Sequence, residues 1–434
     1  MYDLAIMDGL VYLNGKFVKT NVYTKDGIIT KISKDHFDAK EYYIVDKKLV
    51  IPGLIDPHVH FNLDLGFIKS VDDFYSGSVA AAYGGVTTFI DFLEPVSNKK
   101  DLIKAFNKRL LEAKNSVVDY KFHATVKNPK GKLDEITEEM KNLKISSVKL
   151  FTTYSNSNRR TYDNEIKKLL ELSKEKGFLI LAHIENDDLI NLDNSLKYNE
   201  LLKSRSTESE TSEALKLASY AKKLGGRLYM VHLSSGYTLE KLKKQYSDIL
   251  NKNFFIESCP HYFTLTADLF ERSDGYLYTL APPLRTQNEV NILNEDIDSV
   301  YTIGTDHCPF MKKDKTHNLL KDIPLGIGSI EHSFDIMYSL FQNKIIDKMT
   351  INVAKVHNLY PQKGVIQVGS DADMFIYNTK SSGVISENHS RCDYSVYNGR
   401  KTLGKVETTI SRGKFIIKDG KFLGGKGKYL SQNK

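Results

Sequence analysis

The sequence contains few cysteines, and their spacing argues against a disulfide-stabilised fold. Only Cys259, Cys308 and Cys392 occur in 434 residues, an odd number of widely separated thiols. Such usage does not suit a disulfide framework and fits a reducing compartment. No two cysteines form a CxxC pair. A metal site in this chain must therefore be built from histidines and carboxylates.

The sequence also lacks a long apolar run and a dense cluster of basic residues. No segment holds about 18 uninterrupted apolar residues, and Met1-Tyr2-Asp3-Leu4 is not a basic lead into an apolar stretch. The net charge of +7 arises from 61 Lys+Arg against 54 Asp+Glu, with the lysines scattered singly or in short pairs. That pattern is typical of a solvated surface. We expect a cytoplasmic protein with neither a membrane nor a nucleic acid as partner.

Both ends of the chain are predicted to be β-structure. Residues 1–52 hold short runs at 4–7, 10–13, 17–18 and 27–32 with turn signals at Asn14-Gly15 and Asp26-Gly27, and residues 363–434 hold similar runs at 372–377, 406–410 and 414–417. Neither end is large enough to bury a core alone, so we expect the two to pair into one small β-sandwich. The Gly/Lys-rich tail from Gly424 is expected to be frayed.

Residues 53–362 show a different pattern, in which short apolar runs alternate with segments of helical period. Eight β-type runs are recognised: the one that ends at His60 and those at 85–92, 120–126, 147–151, 178–183, 228–232, 254–259 and 300–306. Helices are predicted at 72–84, 99–115, 134–143, 163–176, 208–224, 237–246, 286–296, 329–343 and 350–358. This alternation predicts an α/β fold, a (β/α)8 TIM-like barrel, with its active site at the carboxyl ends of the strands.

Ligand-type residues recur where these runs end. In Asp56-Pro57-His58-Val59-His60 the histidines are two residues apart, so an extended strand directs both imidazoles to the same side. Lys149 lies late in the fourth run, His183 and His232 end the fifth and sixth, and Asp306 ends the eighth. Any one of them alone is more often a core or capping residue. All six at matching strand ends instead predict a metal centre at the mouth of the barrel.

Lys149 is the unusual member of this set. A protonated lysine inside a barrel carries a large desolvation cost, and an ammonium has no lone pair to offer a metal. If burial and nearby cations depress its pKa, the neutral amine can add carbon dioxide and become a carbamate. Two carbamate oxygens could then bridge two metal ions, which in turn stabilise the modified side chain.

These stretches resemble the motifs of the amidohydrolase superfamily, and most closely those of its dihydropyrimidinase/hydantoinase group. The resemblance covers essentially the whole chain and rests on DPHVH at 56–60, SVKLF at 147–151, AHIEN at 182–186, VHLSS at 231–235 and GTDHCPF at 304–310. It implies two zinc ions per subunit. His58, His60, Lys149 and Asp306 would hold the more buried ion, and Lys149, His183 and His232 the more exposed one. Carboxylated Lys149 (N6-carboxylysine) and a hydroxide would bridge them.

The same resemblance implies the reaction. Two zinc ions lower the pKa of bound water enough to supply hydroxide at neutral pH, and one ion can polarise the substrate carbonyl. Asp306 would take the proton of the attacking hydroxide and pass it to the leaving nitrogen. Tyr154 matches the family tyrosine that hydrogen-bonds the developing oxyanion. The chain has 25 tyrosines, so only the offset of five residues from Lys149 distinguishes Tyr154 from a packing residue.

The implied substrate is a small cyclic amide, a 5,6-dihydropyrimidine or a 5-substituted hydantoin, opened to an N-carbamoyl amino acid. Dihydroorotate is disfavoured because Phe61-Asn62 follows His60 where dihydroorotases typically carry an arginine, although another cation could replace it. Allantoin is the alternative ring, because CPHY at 259–262 resembles allantoinases as much as hydantoinases. A non-catalytic scaffold on the same fold is the alternative from another class, but all six ligand-type residues and Tyr154 are present. A homotetramer is expected by resemblance.

Two positions depart from the usual dihydropyrimidinase pattern. Ala281 stands where serine is common, and Leu325 where asparagine is common. In the family these segments hold the imide of the ring largely through main-chain groups, so both are candidate substrate-binding residues. Cys308 is interpreted as a packing thiol. Four apolar residues of the mouth loops are expected either to line a pocket for a ring substituent or to pack the loops: Leu63, Leu65, Phe67 and Phe151.

Overall fold

The structure is a computed structural model that describes residues 1–129 and 131–431. The described chain begins with five strands: β1 (Tyr2–Leu13), β2 (Lys16–Lys25), β3 (Ile28–Ser33), β4 (Ala39–Ile44) and β5 (Leu49–Pro52). Strands β1, β2 and β3 form consecutive antiparallel hairpins. Asn14-Gly15 and Asp26-Gly27 close them, and all four residues have positive φ, as type I′ turns require. Both predicted turns are confirmed.

The amino-terminal strands differ from the prediction in two places. The runs at 4–7 and 10–13 form the single strand β1, because a bulge between Ile6 and Gly9, with Asp8 at φ 58°, keeps the chain extended. Strand β4 was not predicted. It is a largely exposed strand that pairs in parallel with the first half of β1. Because this pairing joins segments more than 30 residues apart, local periodicity did not reveal it.

The barrel strands lie close to their predicted positions. They are β6 (Leu54–Val59), β7 (Val86–Phe92), β8 (Asp119–Thr125), β9 (Ser147–Phe151), β10 (Leu179–His183), β11 (Arg227–Met230), β12 (Phe254–Ser258) and β13 (Thr302–Ile303). These eight described strands are parallel and pair in chain order. Beyond β13 the His60 N–H donates to the His307 carbonyl at 2.9 Å, which brings the last strand back to the first. The predicted α/β barrel is confirmed.

Helices connect these strands. In residues 1–129 and 131–431 they are α1 (Phe74–Tyr83), α2 (Lys99–Glu112), α3 (Leu133–Asn142), α4 (Asp163–Lys176), α5 (Leu201–Ser204), α6 (Thr207–Leu224), α7 (Gly236–Tyr246), α8 (Pro260–Thr264), α9 (Gln287–Glu295), α10 (Lys312–Lys315), α11 (Ser333–Phe341), α12 (Ile346–Met349) and α13 (Ile351–Val356). Caps determine their ends: the Asp73 carboxylate accepts from the Ser76 N–H at 2.8 Å and starts α1, and Gly177 at φ 79° ends α4. None of the described helices combines the length and apolar character that a membrane crossing needs.

Four of the six described carboxyl-terminal strands join the sheet that the amino terminus begins, and the other two pair only with each other. The six strands are β14 (Met374–Asn378), β15 (Gly383–Val384), β16 (Lys401–Thr402), β17 (Lys405–Ser411), β18 (Lys414–Lys418) and β19 (Lys421–Phe422). Strand β14 pairs antiparallel with β5, so strands from both ends share one nine-stranded described sheet. Residues from both ends, among them Ile6, Val50 and Ile376, form an apolar core distinct from that of the barrel. The predicted pairing of the two termini is confirmed.

A buried ion cluster joins this sheet to the barrel. The Lys363 ammonium lies 2.7 Å from Asp119 at the start of β8, 2.8 Å from Asp371 and 2.6 Å from Asp373. Arg412 adds a second cation 3.2 Å from Asp119. Because Lys363 already bonds all three carboxylates, we interpret the group as a structural ion cluster and not as a metal site.

The tail from Gly424 is not frayed over the residues that the structure describes. Its main chain runs along the barrel edge, where the Gly427 N–H donates to Ser116 and the Leu430 N–H donates to Tyr120, at 2.7 and 2.8 Å. Leu430 is buried. The expectation of a frayed tail was wrong because composition does not reveal that a Gly/Lys-rich segment can pair with an exposed strand edge. Residues 432–434 lie outside the described residues.

Candidate metal centre and active site

The six predicted ligand-type residues meet at one cavity of about 530 Å³ at the carboxyl mouth of the barrel. His58 lies in β6 and His60 follows it, Lys149 lies in β9, and His183 is the last residue of β10. His232 follows β11 by two residues and Asp306 follows β13 by three. Because parallel strands end at the same rim, residues distant in the chain become neighbours.

Three of these side chains are close enough to share one ion. The Nε2 atoms of His58 and His60 are 3.2 Å apart, and each lies 3.1 Å from Asp306 Oδ1. Ligand atoms of one tetrahedral zinc, with bonds of about 2.0–2.1 Å, would be separated by about 3.3 Å. The donor types and their separations therefore fit a small divalent cation.

The charges of this group depend on one another. Burial lowers the pKa of His58, but the carboxylates of Asp306 and Glu257 outweigh it and raise that pKa to about 9. Burial lowers the pKa of His60 to about 4. Burial also disfavours a charged Asp306, but His58 and His60 hold the pKa of its carboxyl well below the usual value. Asp306 is therefore an anion that two imidazoles face.

Lys149 and the two remaining histidines form the other part of the cluster. The ring of His232 lies 4.6 Å from that of His183 and 5.4 Å from that of His58, centroid to centroid. Among the described residues the Lys149 ammonium has no hydrogen bond or ion pair. It lies 5.1 and 5.6 Å from the ring centroids of Phe92 and Phe151. Burial lowers the pKa of Lys149 to about 8, which makes the neutral amine more accessible than in a solvated lysine.

Glu257, on β12, positions two of the histidines, and sequence reasoning missed it. One carboxylate oxygen accepts from His58 Nδ1 at 2.8 Å and from the His232 N–H at 3.0 Å. The other accepts from the Tyr229 hydroxyl at 2.8 Å. A side chain on Gly304 would approach this carboxylate within 2.8 Å, so glycine is required there. The sequence did hold one signal for it, because Glu257 is the only acidic residue in the apolar run 254–259.

Replacing Glu257 with glutamine is expected to weaken metal binding about 10- to 100-fold, as loss of a residue that orients metal-binding histidines typically does. Glutamine keeps a hydrogen-bond acceptor for His58, but it lacks the negative charge that stabilises the orientation of the His58 ring. Competition with a chelator, followed by metal analysis, measures the change.

The matched control is Tyr229→Phe, which removes the hydroxyl from Glu257 Oε2 and leaves the contacts to both histidines. Its metal affinity should change less. Wild-type affinity in Glu257→Gln would contradict the positioning role.

Glu185 and Arg205 form a second supporting pair that the sequence did not reveal. Glu185 accepts from His183 Nε2 at 2.6 Å and from the Arg205 guanidinium. Burial raises the pKa of Glu185, but Arg205 and His183 outweigh it, so the pKa is about 2. Glu185 therefore stays charged and fixes the ring of His183. The sequence did hold one signal for this contact, because Glu185 stands two residues after His183 and an extended chain directs both side chains to the same side.

Tyr154 lies at the cavity beside His183. The two ring centroids are 5.2 Å apart, and the Arg205 guanidinium lies 4.9 Å over the Tyr154 ring. Burial raises the pKa of Tyr154, so its phenol keeps its proton and can donate a hydrogen bond. Tyr154, His232 and Asp306 all have left-handed backbone, with φ of 68°, 42° and 49°. Such backbone is strained for non-glycine residues and recurs at functional sites.

The candidate substrate-binding residues also line the cavity. Ala281 and Leu325 are both part of its wall, and neither makes a hydrogen bond with any described residue. Their main-chain groups are therefore available to a ligand. Cys308 is buried at the same wall, and burial raises the pKa of its thiol well above the usual value, which agrees with a packing role. The four apolar loop residues singled out from the sequence also line the cavity: Leu63, Leu65, Phe67 and Phe151.

A parallel eight-stranded barrel with histidines, a lysine and an aspartate around one cavity at its carboxyl mouth defines the chain as a barrel enzyme with a candidate metal centre. The chain belongs to the amidohydrolase family, whose profile matches residues 49–416. It is 30% identical to a D-hydantoinase of Geobacillus stearothermophilus, over 99% of this chain and 96% of that one. A D-hydantoinase of Ralstonia pickettii is also 30% identical, over 100% and 99%.

Solved structures of such enzymes have the same fold as this chain. The crystal structure of a dihydropyrimidinase from Brevibacillus agri has a TM-score of 0.92 and 28% identity, covering 100% of this chain and 99% of that one. Together the matches confirm the predicted family and group, and an enzyme of the hydantoinase and dihydropyrimidinase type. The alternative of a non-catalytic scaffold receives no support from these relatives.

Proposed function

We propose that the chain is a binuclear zinc hydrolase that opens a 5-substituted hydantoin or a 5,6-dihydropyrimidine to an N-carbamoyl amino acid. The observation that carries the proposal is the buried amine of Lys149, which makes no ion pair or hydrogen bond with any described residue. It shares one cavity with four imidazoles and Asp306. The D-hydantoinase relatives support the choice of ring over allantoin.

The residues present fit two cations. His58, His60 and Asp306 would hold one, His183 and His232 the other, and a carboxylated Lys149 would join both. When bound, two zinc ions would supply hydroxide from water at neutral pH and polarise the carbonyl of the ring. Conversion of Lys149 to a carbamate replaces an unpaired buried ammonium by an anion among these cations, which removes the electrostatic penalty that the unmodified side chain carries.

Asp306 would transfer the proton of the reaction, and Tyr154 would stabilise the negative charge that develops. Asp306 stays ionised beside His58 and His60, so it can accept the proton of the attacking hydroxide. Delivery of that proton to the ring nitrogen lets the carbon–nitrogen bond break with a neutral leaving group. The Tyr154 phenol would donate a hydrogen bond to the oxygen on which negative charge develops. Main-chain groups of Ala281 and Leu325 would hold the imide of the ring.

The decisive experiment measures ring opening of dihydrouracil, a 5-substituted hydantoin, allantoin and dihydroorotate in parallel, on protein whose metal content is known. We expect turnover of dihydrouracil or the hydantoin with about two zinc ions per chain. Turnover of allantoin alone would replace the proposal by allantoinase activity. No turnover of any ring by fully metal-loaded protein would overturn the proposed substrates. A homotetramer in the cytoplasm remains part of the proposal, on the sequence resemblance and composition alone.

A further inference from the structure

The charged side chains that line the cavity divide into those with an ionic partner and those without. Besides Asp306, which His58 and His60 face, five of them have one within the described residues: Asp64, Glu94, Arg109, Asp187 and Arg205. Apart from Lys149 in the metal cluster, two lining cations, Arg159 and Lys321, have no ion pair and no side-chain hydrogen bond in the described part of the chain. Asp193 lacks a cation as well, but it accepts two hydrogen bonds from Ser195.

Arg159 lies on a loop that its neighbours hold in place. One oxygen of Asp187 accepts from the Thr153 hydroxyl at 3.0 Å and from the Ser155 N–H at 3.2 Å. The other lies 3.1 Å from the Arg160 guanidinium, which also bonds Asp188. Asp187 thus fixes both ends of the segment 153–160. The adjacent arginines differ. Arg160 forms ion pairs with Asp187 and Asp188, whereas Arg159 forms none with the described residues and lines the cavity.

Arg159 is also close to the reacting centre. Its N–H donates to the Tyr154 carbonyl at 3.1 Å, which closes the turn that follows Tyr154. The Arg159 charge acts on the Tyr154 phenol, where it opposes the rise in pKa that burial causes. Arg159 is half-buried, and its guanidinium makes no ion pair or hydrogen bond with any described residue. A planar guanidinium in that position suits a carboxylate, which it can bind through two parallel hydrogen bonds.

We propose that the substrate ring carries a short acidic substituent and that Arg159 binds its carboxylate, with Lys321, which lines the same cavity, adding positive potential. The inference rests on the proposed ring-opening function and gives it a substrate class. Arg159 follows strand β9, and Lys321 lies in a segment whose Leu320 N–H donates to the Leu196 carbonyl at 2.8 Å, beyond the neighbouring strand β10. Apolar residues of the cavity wall, such as Leu63 and Phe151, would contact the methylene groups of the substituent. The product would be an N-carbamoyl derivative of an acidic amino acid.

The test compares 5-carboxymethylhydantoin with its neutral isostere 5-carbamoylmethylhydantoin on the metal-loaded enzyme. We expect kcat/KM to favour the acid by about tenfold or more, since a hydrogen-bonded charge pair is typically worth that much. Arg159→Gln should lower the acid-to-amide ratio about 10- to 100-fold, and Arg159→Lys should lower it less because the charge remains. Added salt should also lower the wild-type ratio.

Arg272→Gln is the matched control, because it removes the same charge from a side chain that pairs with Asp274 outside the cavity, and it should leave the ratio close to that of the wild type. Equal or faster opening of the amide by the wild type would overturn the inference while the ring-opening function stands. An unchanged ratio in Arg159→Gln, or an equal fall in Arg272→Gln, would also overturn the role of Arg159. If metal-loaded wild type opened neither hydantoin nor any ring of the earlier panel, the proposed function itself would fail.

Discussion

Replacement of Lys149 by methionine is expected to reduce turnover about a thousandfold or more, because loss of the bridging group removes metal-ion stabilisation worth several kcal/mol. Methionine has a similar length and is apolar, so it fills the space beside Phe92 and Phe151 without a buried charge. The barrel should therefore stay folded. Metal analysis should show fewer than two ions per chain, and carbon-13-labelled bicarbonate should no longer give a carbamate signal.

Lys121 provides the control for this variant. It is a second buried lysine, on the neighbouring strand β8, and burial lowers its pKa to about 8 as well. Its ammonium donates to the Ser146 hydroxyl at 2.8 Å and does not line the cavity. Lys121→Met should affect stability more than metal content. If Lys149→Met kept two bound ions and wild-type turnover, the proposed carbamate on Lys149 would be disproved.

Asp306→Asn is expected to lower kcat about 10²- to 10⁴-fold, the range typical of a lost general acid–base group, with a further loss from weaker metal binding. Asparagine has nearly the same shape, but it cannot accept the proton of the attacking hydroxide. It also removes the anion that His58 and His60 both face at 3.1 Å. Steady-state kinetics at saturating zinc separate the proton-transfer defect from the loss of metal.

Asp72 offers the comparison for Asp306. Its carboxylate lies 2.9 Å from His307 and accepts from Ser390 and Arg391, outside the cavity. Asp72→Asn should therefore change the thermal midpoint more than kcat. If Asp306→Asn kept wild-type kcat with full metal, another group would have to carry the proton.

Local periodicity was sufficient for most of the barrel because its elements carry their pattern within short segments, from the 5 residues of β9 to the 18 residues of α6. The strand run at 147–151 and the helix at 163–176 were predicted at their observed positions. The last strand was predicted at 300–306 and is only Thr302–Ile303, because the chain leaves the sheet before Asp306 turns into left-handed backbone. That turn depends on contacts with β6 and Glu257, which no local pattern reports.

By itself the sequence determined which residues are candidate metal ligands and that they stand at strand ends, since residue type and alternation are properties of short segments. It also carried the family motifs that predicted the hydrolase. Only the tertiary structure decided which partners hold those residues: Glu257 with His58, 199 positions apart, and Arg205 with Glu185. It likewise decided that Arg160 is paired and that Arg159 has no ionic partner in the part of the chain that the structure describes. The physical reason is that hydrogen bonds and ion pairs are satisfied in space, between segments whose separation along the chain bears no relation to their distance in the fold.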